Sequence, residues 1–189
     1  MNDYQIYYDI ENYVRKRVLN SFRQKGYIDG FDFFCIIIWK ANRAKSKTAE
    51  RLLKEKANLD LTCKELTQKI SKASCAKERL RILFTDYKFL LPTASAILSV
   101  LYPDDFSVYD VRVCGILNDF TKLSNKTNFE NLWKEYEKYL IAVKTYNPSK
   151  KNFTEADQNL WGKSFYDELT TDIETNFERL LDKKQSPRK

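Results

Sequence analysis

Any side-chain chemistry in this chain must rest on carboxylates, Lys, Tyr or Cys, because its 189 residues include no histidine. Ser-His-Asp and Cys-His nucleophilic sites are thereby excluded, as is the His-x-Glu signature of zinc deaminases. The carboxylate whose setting stands out is Asp110. It follows the small-residue stretch Leu91-Pro92-Thr93-Ala94-Ser95-Ala96-Ile97-Leu98, the turn Tyr102-Pro103-Asp104-Asp105-Phe106 and the run Ser107-Val108-Tyr109, and it precedes Val111-Arg112. An aspartate opening a helix accepts backbone N–H bonds and sits at the positive end of the helix dipole, so its ionised form is favoured. Such an anion can stabilise positive charge developing nearby or orient a water molecule. It can equally be a plain helix cap, worth about 1 kcal/mol. Asp104 and Asp105, directly after Pro103, read as turn residues.

Helices must position these groups. With only four Gly and four Pro, the chain lacks the punctuation of strand-and-turn folds, and three- and four-residue apolar spacing recurs throughout. The expected fold class is all-α. A first helix is predicted from about Tyr4 to Gln24, stopped by Gly26, and a buried helix over Phe31 to Lys40 despite the β-branched Ile36-Ile37-Ile38. Polar, peripheral helices are expected at Thr48 to Ala57 and Leu61 to Ser74, then one at Ala76 to Thr85. The Pro92 helix should end near Tyr102, and a further helix begins around Asp110. Thr127 and Glu130 fit a capping box ahead of Trp133, Tyr136, Leu140 and Val143. A last helix starts at Thr154 and carries Leu160, Trp161, Phe165, Leu169, Ile173, Phe177 and Leu180. Residues 1–182 read as a single helical domain, either one compact unit or two lobes with a cleft between them, and residues 183–189 as a flexible basic tail.

Apolar residues make up 43 % of the chain, with 12 Phe, 12 Tyr and 3 Trp, enough for a sizeable core. The four cysteines, Cys35, Cys63, Cys75 and Cys114, are widely spaced and read as buried free thiols; no metal or organic cofactor is expected. The longest apolar run, Phe33 to Trp39, is too short to span a bilayer, and no basic-then-apolar leader opens the sequence, so a soluble cytoplasmic protein is expected. A net charge of +7 favours a polyanionic partner.

The stretch from Leu91 to Arg112 resembles the helix-hairpin-helix DNA glycosylases, which carry a glycine-containing hairpin, a helix of small and aliphatic residues, a turn and an aspartate opening the next helix. Aligned on Thr93-Ala94, Asp110 falls at the family's aspartate, 18 positions after Pro92. The phrase is also similar to a bacterial branch of that superfamily in which Pro-Thr-Ala-Ser replaces Lys-Thr-Ala and an Asp-x-Arg follows. The closing-helix residues Asp157 and Leu160-Trp161 look similar to that branch as well. The resemblance implies a glycosylase-like core over about residues 76–125, DNA as partner, and hydrolysis of an N-glycosidic bond with Asp110 as the catalytic carboxylate. Pro92 stands where bifunctional members hold their Schiff-base lysine, so no amine nucleophile comes from that position. Lys88 and Leu90 stand at the two hairpin glycines, so a tight phosphate-binding turn is not expected there.

On this reading, Lys40, Arg43, Lys45, Lys47, Lys88 and Arg112 are the candidate phosphate contacts, and Tyr87, Phe89 and Tyr109 the candidate walls of a base pocket. The plainer alternatives are a solvated cationic loop, an ion pair from Arg112 that holds the local turn, and aromatics that pack in the core, Trp39 and Trp161 included. A non-catalytic nucleic-acid-binding module of the same fold, or a helical protein-interaction module, are the competing functions.

Overall fold

A computed structural model describes residues 4–177 of the chain. It is all-α, with no strand among the described residues. The first helix does not run unbroken from Tyr4. A short 3-10 turn, Tyr4–Tyr7, comes first, and Asp9 then restarts the chain as an N-cap, its side chain accepting from Asn12 N–H. From there α1 spans residues 10–25, with one widened turn over Tyr13–Val18, and stops at Gly26 (φ 72°), a left-handed position that suits glycine.

α2 (Gly30–Ala41), capped by Asp29, buries Phe33, Cys35, Ile36 and Ile37 and packs on the helices around it. Burial on a packed face outweighs the β-branched preference for strand, as tertiary context does. The pair expected to be peripheral is part of the core: α3 (Lys45–Leu53) buries Leu52, and α4 (Leu59–Lys72) buries Cys63, Leu66 and Ile70. Thr67 on α4 bonds through its hydroxyl to the Ile28 N–H at 3.1 Å, securing the loop ahead of α2. Polar composition misled here because a narrow apolar stripe suffices to dock a helix.

α5 occupies residues 76–86. A short turn leads to α6 (Leu91–Leu101), the central helix, on which Leu91, Ala94 through Leu101 are all buried. Its Ala and Ser positions keep it slim enough to be surrounded. In the turn between α5 and α6, Lys88 has φ 56°. The left-handed turn that glycine would ease is therefore present, built on a lysine.

α7 (Val111–Leu117) is capped by Asp110. α8 (Phe129–Tyr146) starts from Asn128, not Thr127: the Asn128 side chain accepts from Asn131 N–H, and Glu130 instead pairs with Lys77 and Arg81. α9 (Phe153–Thr171), capped by Asn152, packs on α7 and α8 and continues into a widened turn, Asp172–Asn176. Of the apolar residues expected along this last helix, Leu160 is buried with Phe153 and Ala156, whereas Trp161, Phe165 and Leu169, and Ile173 and Phe177 beyond its end, are substantially exposed. Leu180 and the expected 183–189 tail lie outside the described residues.

One hydrophobic cluster runs from Val14 to Leu160. Cys35, Cys63 and Cys114 lie in it as free thiols; Cys75, also free, is exposed at the start of α5. No described helix is long and apolar enough to cross a membrane.

Candidate functional site

Asp110 owes its position to an extended segment, residues 106–109, that is fully buried between α6 and α8. Buried backbone outside a helix needs hydrogen-bond partners, and side chains provide them. Ser95 Oγ on α6 accepts from Tyr109 N–H at 2.9 Å. On α8, the Tyr136 hydroxyl donates to the Ser107 carbonyl, and the Tyr139 hydroxyl to the Val108 carbonyl at 2.7 Å. Tyr109 itself points inward and donates from its hydroxyl to the Phe120 carbonyl at 2.7 Å.

The chain emerges from this clamp at Asp110. Its Oδ1 accepts from Arg112 N–H at 2.9 Å as the α7 cap, and its Oδ2 accepts from Lys40 Nζ at 2.6 Å. Burial alone would raise this carboxyl, but the charge and hydrogen bond of Lys40, together with the Arg112 N–H, outweigh it and hold Asp110 below the ordinary aspartate range.

Asp110 and Lys40 line a recess of about 380 Å³ with Glu11, Arg15, Trp39, Val108, Asp157, Gln158 and Trp161. Four parts of the chain thus meet: the start of α1, the end of α2, the 106–110 segment and the first turns of α9. Arg15 lies beneath Trp39, with its guanidinium carbon 4.7 Å from the ring centre, and donates to the Ser99 carbonyl and to Thr154 Oγ1. Its Nε stands 3.6 Å from Glu11 Oε1, an ion pair without a direct hydrogen bond. Burial pushes the arginine's pKa down, and the carboxylates of Glu11 and Asp157 oppose that.

Asp157 is the most deeply buried of the three carboxylates of the recess, only 8 % exposed. Its Oδ1 accepts from Ser107 Oγ at 3.0 Å. Desolvation pushes its carboxyl up to about 7; the Ser107 hydrogen bond and the charges of Arg15 and Lys40 only partly offset this, and Asp110 adds to it.

The sequence-derived candidates divide accordingly. Asp110 and Lys40 meet in the recess, Lys40 as the carboxylate's ion-pair partner. Arg112 adjoins them; its guanidinium turns away from Asp110 to pair with Glu168 and lies over Trp161 at 5.4 Å. Arg43, Lys45 and Lys47 follow Lys40 in the chain, exposed and with no ion pair among the described residues, and Lys88 is likewise exposed in its turn. Tyr87, Phe89 and Tyr109 are core residues that do not line the Asp110 recess. Phe89 packs on Phe33, and Tyr109 is held inward by its hydroxyl bond.

The aromatic walls come instead from Trp39, which packs against the core as expected and also lines the recess, and from Trp161, which was expected in the core. Trp161 is 45 % exposed and stacks nearly parallel to Phe165, with ring centres 5.9 Å apart. No group of side chains suited to holding a metal ion occurs among the described residues. Compared with family models, curated proteins and solved structures, the chain matches none.

Proposed function

We propose that the chain binds DNA and hydrolyses the N-glycosidic bond of a modified or damaged base, with Asp110 as the carboxylate that faces the sugar. The observation that carries this reading is an ionised aspartate, fixed by Lys40 and a helix N-terminus, inside an aromatic-walled recess of about 380 Å³. That volume lies toward the small end of ligand sites, roughly 300–1,000 Å³, and suits one extruded nucleotide base with its sugar. As the base leaves, positive charge develops on the sugar, and a fixed anion beside it lowers the barrier without having to reorganise. The exposed cations Arg43, Lys45 and Lys47, which have no ion pair among the described residues and come next in the chain after Lys40, suit phosphates along a strand.

The Lys40–Asp110 pair favours a second reading as well: a site that binds nucleic acid without chemistry, in which the carboxylate serves only to anchor the lysine. A single experiment separates the two. The wild-type chain and Asp110→Asn are incubated with oligonucleotides bearing a panel of modified bases, with base release and salt-dependent binding both recorded. Base release by the wild type alone supports hydrolysis through Asp110, whereas equal release by the variant removes that role. Salt-dependent binding with no release supports the second reading. No binding at any salt concentration overturns both.

A further inference from the structure

Three carboxylates line the recess; Glu11, the most exposed, pairs with Arg15 and accepts from Gln158, and the two aspartates differ in their surroundings. Asp110 receives a lysine ammonium and a backbone N–H. Asp157, from α9, receives one neutral hydroxyl, Ser107 Oγ, on Oδ1, and its other oxygen has no hydrogen bond among the described residues. Where two acids in one site lie in such different environments, one is kept charged and the other neutral, and their roles divide as base or electrostatic stabiliser and acid.

Resting on the glycosidic reading above, we propose that Asp157 is the acid that protonates the departing base, and that the site is therefore built for neutral purine bases, whose departure is eased by a proton on a ring nitrogen. Asp157 is a catalytic residue on this view, since its free oxygen meets the base within the recess. In the reaction, the bond from the sugar carbon to the base nitrogen breaks and its electron pair goes to the base. The base takes the proton from Asp157. Water adds to the resulting oxocarbenium ion beside Asp110, and its surplus proton returns to the Asp157 carboxylate. The net change is addition of one water across the bond, with both aspartates restored.

The groups facing Asp157 from its neighbours support this assignment. Arg15 and Glu11 approach from α1, Lys40 from the end of α2 and Asp110 from the segment before α7; Tyr136 and Tyr139 of α8 lie behind it. The two cations do not touch it directly, as Arg15 is spent on Ser99, Thr154 and Trp39, and Lys40 on Asp110. Burial therefore prevails and leaves Asp157 substantially protonated near neutral pH, with a carboxyl at about 7.

The test compares Asp157→Asn with the full wild-type chain on DNA carrying neutral purine lesions (hypoxanthine, 8-oxoguanine) and on DNA carrying 7-methylguanine, whose cationic base leaves without protonation. Asparagine keeps the acceptor for Ser107 and cannot donate an acidic proton. The expected result is a loss on the order of 100-fold in kcat for the neutral base, with 7-methylguanine release changed by no more than about 3-fold, well below that acid-catalysis effect. Wild-type release of the neutral base should also fall as pH rises through about 7, whereas release of 7-methylguanine should not. Equal activity of the variant on neutral bases, or wild-type action on 7-methylguanine alone, overturns the role of Asp157 and leaves that of Asp110 standing. Absence of wild-type release from every substrate overturns the glycosidic reading, and this assignment with it.

Discussion

Lys40 Nζ lies 2.6 Å from Asp110 Oδ2, which ties the end of α2 to the start of α7 across seventy residues of sequence. Both side chains are mostly buried, at 16 % and 21 % exposure. Removing one partner of such a pair leaves the other desolvated and uncompensated. Lys40→Met should therefore cost about 1–3 kcal/mol in urea unfolding, below the full buried-pair range because both groups retain some solvent.

The same pair sets an acid limb. Because Asp110 is held below the ordinary aspartate value, it contributes stability above that value, and this contribution is lost as pH falls through its lowered folded-state pKa. In Lys40→Met the carboxyl should rise, and the pH dependence of unfolding below about pH 4 should flatten relative to wild type, near the aspartate reference of about 3.9.

Asp157 acts in the opposite sense. Its carboxyl is raised in the folded chain, so stability is greatest at low pH and falls as pH rises from the ordinary aspartate value through about 7. Asparagine mimics the neutral acid at every pH. Asp157→Asn should thus match wild type near pH 4 and exceed it by about 2–4 kcal/mol at pH 8. A stability gain from removing a buried acid is the mark of a residue retained for something other than folding. Equal denaturation midpoints at pH 8 would count against this.

Tyr139→Phe removes the hydroxyl that satisfies the buried Val108 carbonyl. The expected loss is about 1–3 kcal/mol, the cost of leaving a buried acceptor unmet. Amide exchange should accelerate in residues 106–110 before it does in the helices.

At Lys88, glycine would relieve the left-handed backbone, worth roughly 1–2 kcal/mol, and would add an unfolded-chain entropy cost of roughly 0.5–1 kcal/mol. Lys88→Gly should stabilise the protein by up to about 1.5 kcal/mol, read as a higher Tm, the difference between those two terms.

Much of the scaffold was legible in the residue pattern. Scarce Gly and Pro with apolar spacing of three and four gave the helices, and Asp110 stood out as a cap because a small-residue helix and a proline turn precede it. Helix starts were less legible where several cap-forming residues adjoin: Thr127 and Asn128 compete, and only packing shows that Asn128 wins while Glu130 reaches out to Lys77 and Arg81. The remainder of the recess was hidden because it joins residues up to 150 positions apart, Glu11 to Trp161. One signal was nonetheless present. Phe153, Ala156, Asp157 and Leu160 share the buried face of α9, so Asp157 interrupts an apolar stripe at helical spacing, and a charge there is a question that the sequence itself poses. Trp161 falls one position further round, on the open side. The inward turn of Tyr109 and the hydroxyl bonds from Tyr136 and Tyr139 carry no such mark, since a tyrosine in the core and one on a wall look alike in sequence.

Those tyrosine bonds reach beyond stability. Residues 106–109 cannot shift without breaking, together, the contacts to Ser95, Tyr136 and Tyr139 that hold them. Val108, the residue of that segment that lines the recess, and Asp110 directly after it are consequently set in place before anything arrives. Whatever enters must adapt its own conformation to that mould, so discrimination between occupants falls to how cheaply each can deform.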